Sequence, residues 1–356
     1  MPASRFAQIG LLLAAVAAGH LLTAVAGKAF FLTQLTMSAY YTLVIVGLCL
    51  LMGYAGQISL GHAGFFAIGG YTSAILTTLD LSAWQASPLI GLLAKLPVLT
   101  SRPDLYGGQV LTVQPWAAFV TALAITTVVA FAIGVPVLKL KGHYLAMATL
   151  GFGTIVSSIV LGTQRFGAAD GISGVPAFSV LPGLSVTGGS SSRVLNYYLA
   201  WGLVAAGMLL LMNLIHSRVG RALRSIHGAE DAAGAMGVDT ARYKLNTFVL
   251  SAVFAAVGGV FLTHYNGGIG PSEASLMKSV RYVAIVAVGG MANLWGALIM
   301  SAVLNFLSLR GYFGTYDDAV FGVILIVIML FVPEGVLSID VKGMMKKLLK
   351  KGKSTT

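Results

Sequence analysis

Long runs of apolar residues, separated by short polar segments, cover almost all of this 356-residue chain. Hydrophobic residues make up 57% of the chain and charged residues only 9%, and the mean hydropathy is +0.88. A soluble domain carries far more charge, about a quarter of its residues. An apolar run of about 20 residues is long enough to cross a bilayer as a helix. The sequence therefore predicts an all-α polytopic membrane protein.

Ten of the apolar runs are candidate membrane-spanning helices. They cover residues 9–26, 30–52, 63–79, 116–138, 144–161, 196–215, 245–265, 280–291, 294–309 and 319–337. The run at 280–291 is shorter than the roughly 20 residues of a full crossing, and Gly289 and Gly290 lie at its end. We therefore predict about ten transmembrane helices, with a half-helix or re-entrant segment near residues 280–291.

The positions of the basic residues predict the orientation, because Lys and Arg near span ends are retained on the cytoplasmic side. Even numbers of predicted spans separate four basic clusters, which are Arg5, the pair Lys139 and Lys141, the segment 217–244, and the lysine-rich tail 339–356. We expect all four, and both termini, to be cytoplasmic. The net charge of +11 is then explained by topology and by contact with anionic lipid headgroups, and no nucleic-acid partner is expected.

The first span also has features of a secretory signal, with residues 24–26 as a cleavage site. Its length and the second span that follows at once favour an uncleaved span, and cleavage stays the alternative.

Motifs for chemistry are absent from the sequence. The single cysteine, Cys49, excludes an intrachain disulfide and a Cys-based metal site, and His62 has no second His or carboxylate nearby in sequence, so no metal site is predicted. The chain lacks HExxH, GxSxG and paired intramembrane carboxylates, which argues against a membrane enzyme. The span interiors contain almost no charge, since Arg281 and Glu334 lie at ends. This disfavours an ion-coupled secondary transporter or channel.

Residues 217–244 form a polar island in this apolar chain. Within the island, an Ala-rich stretch at 229–236 lies between Gly228 and Gly237, and alanine is a good helix former while glycine ends helices. We predict a short helix outside the bilayer at which a soluble partner binds.

Residues 53–71 combine glycines with polar side chains close to membrane depth. Glycine lets helices approach closely or lets the backbone break, and polar groups at this depth face a cavity or another helix. Candidate substrate-pathway residues, here and in other spans, are Gln57, Ser59, His62, Tyr71, Thr149, Asn246, Asn293 and Asn305. Helix packing explains each of them equally well.

Six segments of the chain are GYAGQISLGHAGF at 53–65, LKLKGHYLAMATLGF at 138–152, AADGISG at 168–174, GRALRSIHGAEDAAGAMG at 220–237 with RYKL at 242–245, VGGMANLWGA at 288–297 and PEGV at 333–336. In the same order, they resemble segments of the LivM-type permeases of branched-chain amino-acid ABC transporters. The resemblance covers roughly residues 30–338. The family's external loop usually begins with Thr-Gly-Gly, where this chain has Gly167, Ala168 and Ala169.

The resemblance implies a permease subunit, not an enzyme, in the bacterial inner membrane. Its permease domain would comprise residues 30–338, after an N-terminal span at 1–29 and before the basic tail at 339–356. The implied partners are two cytoplasmic ATPase subunits, an external solute-binding protein, and a second homologous permease chain or a second copy of this one. ATP and Mg would be bound by the ATPase subunits, because this chain has no GxxxxGK[ST] segment. Urea or short amides are the alternative solutes to branched-chain amino acids.

The resemblance also implies a coupling helix in the 217–244 loop, which fits into a cleft of the ATPase. The residues expected to couple to the ATPase are Arg221, Arg224, Glu230, Asp231, Ala232, Ala233, Gly234 and Gly237. Asp231 stands where the family pattern has its first Ala. The two arginines either make charge-assisted contacts with the ATPase or hold the loop at the membrane face.

Overall fold

The computed structural model describes residues 2–82, 98–103, 109–181 and 183–331, and these contain twelve α-helices and six short strands. The helices are α1 (Pro2–Val25), α2 (Phe31–Cys49), α3 (His62–Thr78), α4 (Pro115–Val137), α5 (His143–Gly162), α6 (Arg193–Ile215), α7 (Arg218–Gly228), α8 (Glu230–Ala235), α9 (Thr240–Asn266), α10 (Leu276–Gly289), α11 (Leu294–Leu309) and α12 (Asp317–Phe331). The strands are β1 (Leu99–Pro103), β2 (Gln109–Val113), β3 (Ile172–Ser173), β4 (Phe178–Leu181), β5 (Leu184–Val186) and β6 (Gly268–Ile269). The helical fold class predicted from the sequence is confirmed.

Within the described residues, each of the ten predicted spans coincides with a helix, but not all of these helices are long enough to cross a bilayer. Six segments have the required length and hydropathy, and they are Phe6–Val25, Phe31–Tyr54, Pro115–Val137, His143–Gly162, Ser190–Ile215 and Thr240–Asn266. The other four helices, α3 and α10–α12, have 14 to 17 described residues each. Ten full crossings therefore remain a prediction, and the predicted tail at 339–356 lies outside the described residues.

Helices α2 and α9 form the centre of the bundle. Helix α9 packs against α2, α3 and α4, and α2 packs against α6 and α11. Small residues bring α3 and α9 together, since a Cβ atom at Gly69 would lie 2.6 Å from the backbone oxygen of Ala256. Such close approach of backbones is typical of helix packing in membranes.

The six strands form three two-stranded antiparallel sheets, β1–β2, β3–β6 and β4–β5. They connect helix ends on one side of the bundle, which we call the hairpin face. Helices α7 and α8 lie at the opposite side, which we call the loop face. Lys141 and Lys244 also lie at the loop face, where they contact α8. The sequence prediction that these two basic clusters share one side is confirmed.

Two breaks in the helices meet at the loop face. The first follows α2, which ends in a π-helical turn, Leu50–Tyr54, before the non-helical residues 56–61. The second is the turn at residues 290–293 between α10 and α11. The backbone of Gly53 packs directly on the carbonyl of Met291, and the Tyr54 hydroxyl donates to the Ala292 carbonyl at 2.7 Å. The two breaks therefore form one joint.

Helix α10 begins inside the bundle rather than at the hairpin face. After β6 the chain turns inward through the 3₁₀ turn Pro271–Ala274, which packs on α3 and α5. The Lys278 Nζ atom in α10 then lies 2.9 Å from the Tyr41 hydroxyl. Tyr41 is the eleventh residue of the segment Phe31–Tyr54, so at 1.5 Å per residue it lies about 15 Å along that helix. This geometry agrees with the half-helix or re-entrant segment predicted near residues 280–291.

Candidate functional site

Helix α7 lies across the loop face with its apolar side inward. Its first turn is capped by Ser217, whose Oγ accepts a hydrogen bond from the Val219 backbone N at 3.1 Å. Leu223 and Ile226 are buried, whereas the predicted coupling residues Arg221 and Arg224 are exposed. The helix therefore presents a basic surface to solvent.

Helix α8 is attached to the bundle by a half-buried ion pair. Its Glu230 Oε1 lies 2.8 Å from Lys244 Nζ, and the two side chains are 29% and 7% exposed. Lys244 is in the first turns of α9 and also donates to the Leu138 carbonyl at 3.3 Å. Because Lys244 is almost buried, Glu230 neutralises a charge that water cannot reach. The pair thus fixes α8 to α9.

A second ion pair at α8 is exposed. Lys141 Nζ lies 3.0 Å from Asp231 Oδ1, and both side chains are largely in solvent. The hydrogen bond and charge of Asp231, with a smaller contribution from Glu230, raise the pKa of Lys141. Exposed pairs of this kind contribute little to stability.

The outer surface of α8 is small, apolar and exposed. Ala232, Gly234 and Gly237 are exposed, whereas Ala233 packs inward. Gly237 has φ +84°, which favours glycine, and it ends this segment. The sequence analysis missed Met236, whose side chain is 84% exposed beside these small residues. The sequence pattern that could have identified Met236 is its position as a large apolar residue within the polar segment 217–244.

The non-helical residues 56–61 and the first residue of α3 carry the second group of predicted site residues. His62 is fully buried, and its Nε2 and Nδ1 lie 2.7 Å from Ser251 Oγ and 3.1 Å from Ser59 Oγ. The Thr149 hydroxyl accepts a hydrogen bond from the Leu60 backbone N at 3.0 Å. These contacts satisfy backbone and side-chain polar groups where the helix is broken.

Gln57 differs from its neighbours. Its side chain is buried, and neither of its amide atoms finds a hydrogen-bond partner among the described residues. It lines a cavity of about 240 Å³ together with His227, Glu230 and Lys244. The broken segment therefore opens directly onto the α7–α8 loop.

The structure does not bring the other predicted pathway residues into this group. The Asn293 side chain caps α11 by accepting from the Gly296 backbone N at 3.0 Å, and Asn305 donates to the Ser301 carbonyl at 2.9 Å. Asn246 is exposed on α9, and Tyr71 is buried in α3. In the described part of the chain, no three His, Cys, Asp or Glu side chains form a set that could hold a metal.

Two charged clusters that the sequence analysis missed lie beside α10. Lys278 Nζ is 3.0 Å from Glu273 Oε1, and the Tyr41 hydroxyl donates to the same oxygen at 2.9 Å. Arg281 pairs with Asp317 and Asp318 at 2.6 and 2.8 Å. The sequence signal for both clusters was the short apolar run at 280–291, because a half-helix carries its flanking charges into the bundle.

Comparison of this chain with known proteins identifies a matching family and similar relatives. Residues 30–332 match the family described as the permease component of branched-chain amino acid transport systems. The chain is 31% identical to the LivM high-affinity branched-chain amino acid transport permease of Salmonella typhimurium, over 85% of this chain and 68% of that protein. It is 30% identical to LivM of Escherichia coli, with the same coverage, and 27% identical to LivH of E. coli, over 86% of this chain and 96% of LivH. No solved structure matches it. Together with the apolar helices, these matches identify an integral membrane protein.

Proposed function

Because this chain belongs to the family of branched-chain amino acid transport permease components, we propose that it moves branched-chain or related apolar amino acids through the membrane in an ATP-driven importer. The family match across residues 30–332 carries this proposal. Its partners are two ATPase subunits, a solute-binding protein, and a second permease of the LivH type or a second copy of this chain. The similarity of this one chain to both LivM and LivH proteins is consistent with pairing of related permeases.

The loop face supplies the docking surface for the ATPase subunits. The exposed Ala232, Gly234 and Ala235 leave room for a cleft to close around α8, and Met236 adds an apolar side chain that loses its water contacts on docking. Arg221 and Arg224 lie exposed on the neighbouring helix, where they can contact carboxylates. On this proposal the loop face is cytoplasmic and the hairpin face meets the solute-binding protein.

Two contacts transmit movement of the α7–α8 loop to the helices inside the bundle. The Glu230–Lys244 ion pair connects α8 to α9, which packs against α2, α3 and α4. His227 in α7 contacts Gly56 at the start of the broken segment, since a Cβ at Gly56 would lie 2.9 Å from the His227 Nδ1 atom. When nucleotide binding displaces the docked α8, both α9 and the break therefore move with it. This converts ATPase closure into rearrangement of the helices.

A charge placed on the docking surface tests this function. We expect Met236→Glu to weaken association with the ATPase subunits about tenfold, which corresponds to about 1.4 kcal/mol, because a carboxylate would have to be desolvated in the cleft. The measurements are co-purification of the ATPase subunits and uptake of labelled leucine, with labelled urea in parallel, in cells that express all subunits.

The matched control is Ala29→Glu, which places the same charge on an exposed residue at the hairpin-face end of α1 and α2. It should leave ATPase association unchanged. Normal association and leucine uptake in Met236→Glu would reject the docking surface. Uptake of urea without leucine by the wild type would replace the proposed substrate by a short amide.

A further inference from the structure

The Glu273–Lys278 ion pair occupies an unusual place in this fold. It sits where the chain re-enters the bundle, at the depth of Tyr41 in α2, and it is only slightly exposed, with 16% for Glu273 and 19% for Lys278. Charged groups at such depth are costly, and in membrane proteins they commonly mark a substrate or ion path. Discontinuous helices at the middle of the membrane are a common location of transporter binding sites.

The Tyr41 hydroxyl forms a hydrogen bond with each member of the Glu273–Lys278 ion pair. It donates to Glu273 Oε1 at 2.9 Å and accepts from Lys278 Nζ at 2.9 Å, while the Lys278 ammonium lies 4.4 Å from the centroid of the Tyr41 ring. One carboxylate, one ammonium and one hydroxyl are thus held within direct contact. This arrangement can bind an anion and a cation side by side.

Two further tyrosine hydroxyls in this region make no hydrogen bond within the described residues, and we call them the unused hydroxyls. Tyr282 is buried with its ring centroid 6.3 Å from that of Tyr41, and Tyr71 is buried in α3, against which the turn Pro271–Ala274 packs. Neither hydroxyl has a hydrogen-bond partner within the described ranges. A buried hydroxyl without a partner costs free energy. Two such groups on the helices that pack around this ion pair therefore indicate a ligand that supplies the missing hydrogen bonds.

One edge of the cluster is left uncovered by the described part of this chain. Ser272, Leu276 and Met277, which flank Glu273 and Lys278 in the chain, are exposed. A solute that approaches this edge would meet apolar side chains first and the ion pair behind them. This order suits a molecule with an apolar side chain and a charged backbone.

We propose that Glu273, Lys278 and the hydroxyls of Tyr41, Tyr71 and Tyr282 bind the α-ammonium and α-carboxylate groups of the transported amino acid. The Lys278 ammonium pairs with the substrate carboxylate, and the Glu273 carboxylate pairs with the substrate ammonium. The internal ion pair is thereby exchanged for two pairs with the zwitterion, so no charge is left without a partner during passage. This inference rests on the proposed function and identifies the groups that recognise its substrate.

The unused hydroxyls allow a test that separates function from folding. Removing an unpaired buried hydroxyl leaves stability unchanged or raises it, because no hydrogen bond is lost. We expect Tyr71→Phe and Tyr282→Phe to unfold at the same temperature as the wild type or higher. We also expect each to lower the maximal rate of leucine uptake about threefold to tenfold, the effect of one hydrogen bond.

Tyr40→Phe is the matched control. Tyr40 is fully buried in α2 and its hydroxyl also lacks a partner in the described part of the chain, but it packs against Phe261 and Tyr265. Its uptake rate should equal that of the wild type. The assay uses the complete transporter in proteoliposomes with a saturating, leucine-loaded binding protein, so that differences in delivery do not enter the rate.

The double variant Glu273→Gln/Lys278→Met tests the ion pair itself. It removes both charges together and leaves neither unpaired, so a purely structural pair would be dispensable. We expect maximal uptake to fall at least about tenfold while the ATPase subunits remain bound.

The outcomes distinguish the two proposals. If the wild-type complex does not transport leucine, the proposed function fails. If the wild type transports leucine and the tyrosine and double variants match it, the recognition site is wrong while the function stands. An equal loss of uptake in Tyr40→Phe would also reject the site, because the effect would then be general to buried tyrosines.

Discussion

Among single residues, polar side chains that lie within apolar surroundings tell most about this protein. The hydrogen bonding of Ser59, His62 and Thr149 could be expected from the sequence, because polar residues inside an apolar run require partners. Their place on a substrate pathway stays a prediction. The pairing of Glu273 with Lys278 could not be expected, since the sequence places them between two predicted spans and only packing sets how deeply that segment enters.

The two lysines at α8 give a prediction at this scale. Lys244→Met leaves the half-buried Glu230 without its partner, and we expect α8 to loosen from α9 by about 1–3 kcal/mol. Lys141→Met removes only an exposed pair and should cost less than about 1 kcal/mol. Hydrogen exchange of the backbone amides of residues 230–237 measures both effects. Equal exchange rates in the two variants would show that burial of the pair does not matter.

At the scale of elements, the joint between the two helix breaks organises the loop face. The pattern of glycines at 53–71 predicted close packing or a broken backbone, and the structure contains both. The partner of Gly53 could not be predicted, because Met291 lies more than 200 residues away and local patterns carry no information about such pairing.

Adding one methyl group at this joint should be disruptive. A Cβ at Gly53 would overlap the Met291 carbonyl, so Gly53→Ala is expected to destabilise the protein by about 1–3 kcal/mol through overpacking. The control is Gly202→Ala in α6, where a Cβ has no described neighbour within 4 Å. That change should be neutral or stabilising by up to about 1 kcal/mol, because alanine is the better helix former. Thermal unfolding in detergent compares the two, and similar midpoints would contradict the packing argument.

At the scale of the whole molecule, the two proposed docking surfaces lie at opposite faces of one bundle. Helix α9 connects them, since it begins beside Glu230 at the loop face and ends beside β6 at the hairpin face. The all-α class and the shared side of two of the four basic clusters could be predicted, because hydropathy and charge act locally. The number of crossings stays a prediction, because α3 and α10–α12 have only 14 to 17 described residues each.

The orientation of the two faces can be measured directly. We expect Ser179→Cys, at an exposed position of β4, to react with a membrane-impermeant maleimide in spheroplasts. Met236→Cys, on the loop face, should react only in inverted vesicles. The reverse pattern would invert the topology and place the docking surface outside the cell.

A native thiol lies at the contact between Gly53 and Met291, where its reactivity can report on that contact. Cys49 is fully buried, and its Sγ donates to the same Met291 carbonyl on which Gly53 packs, at 3.4 Å. The thiol is therefore shielded from reagents while the two breaks stay in contact. If transport separates the two breaks, the alkylation rate of Cys49 will increase during turnover. This rate then measures the conformational cycle of the native protein without an introduced label.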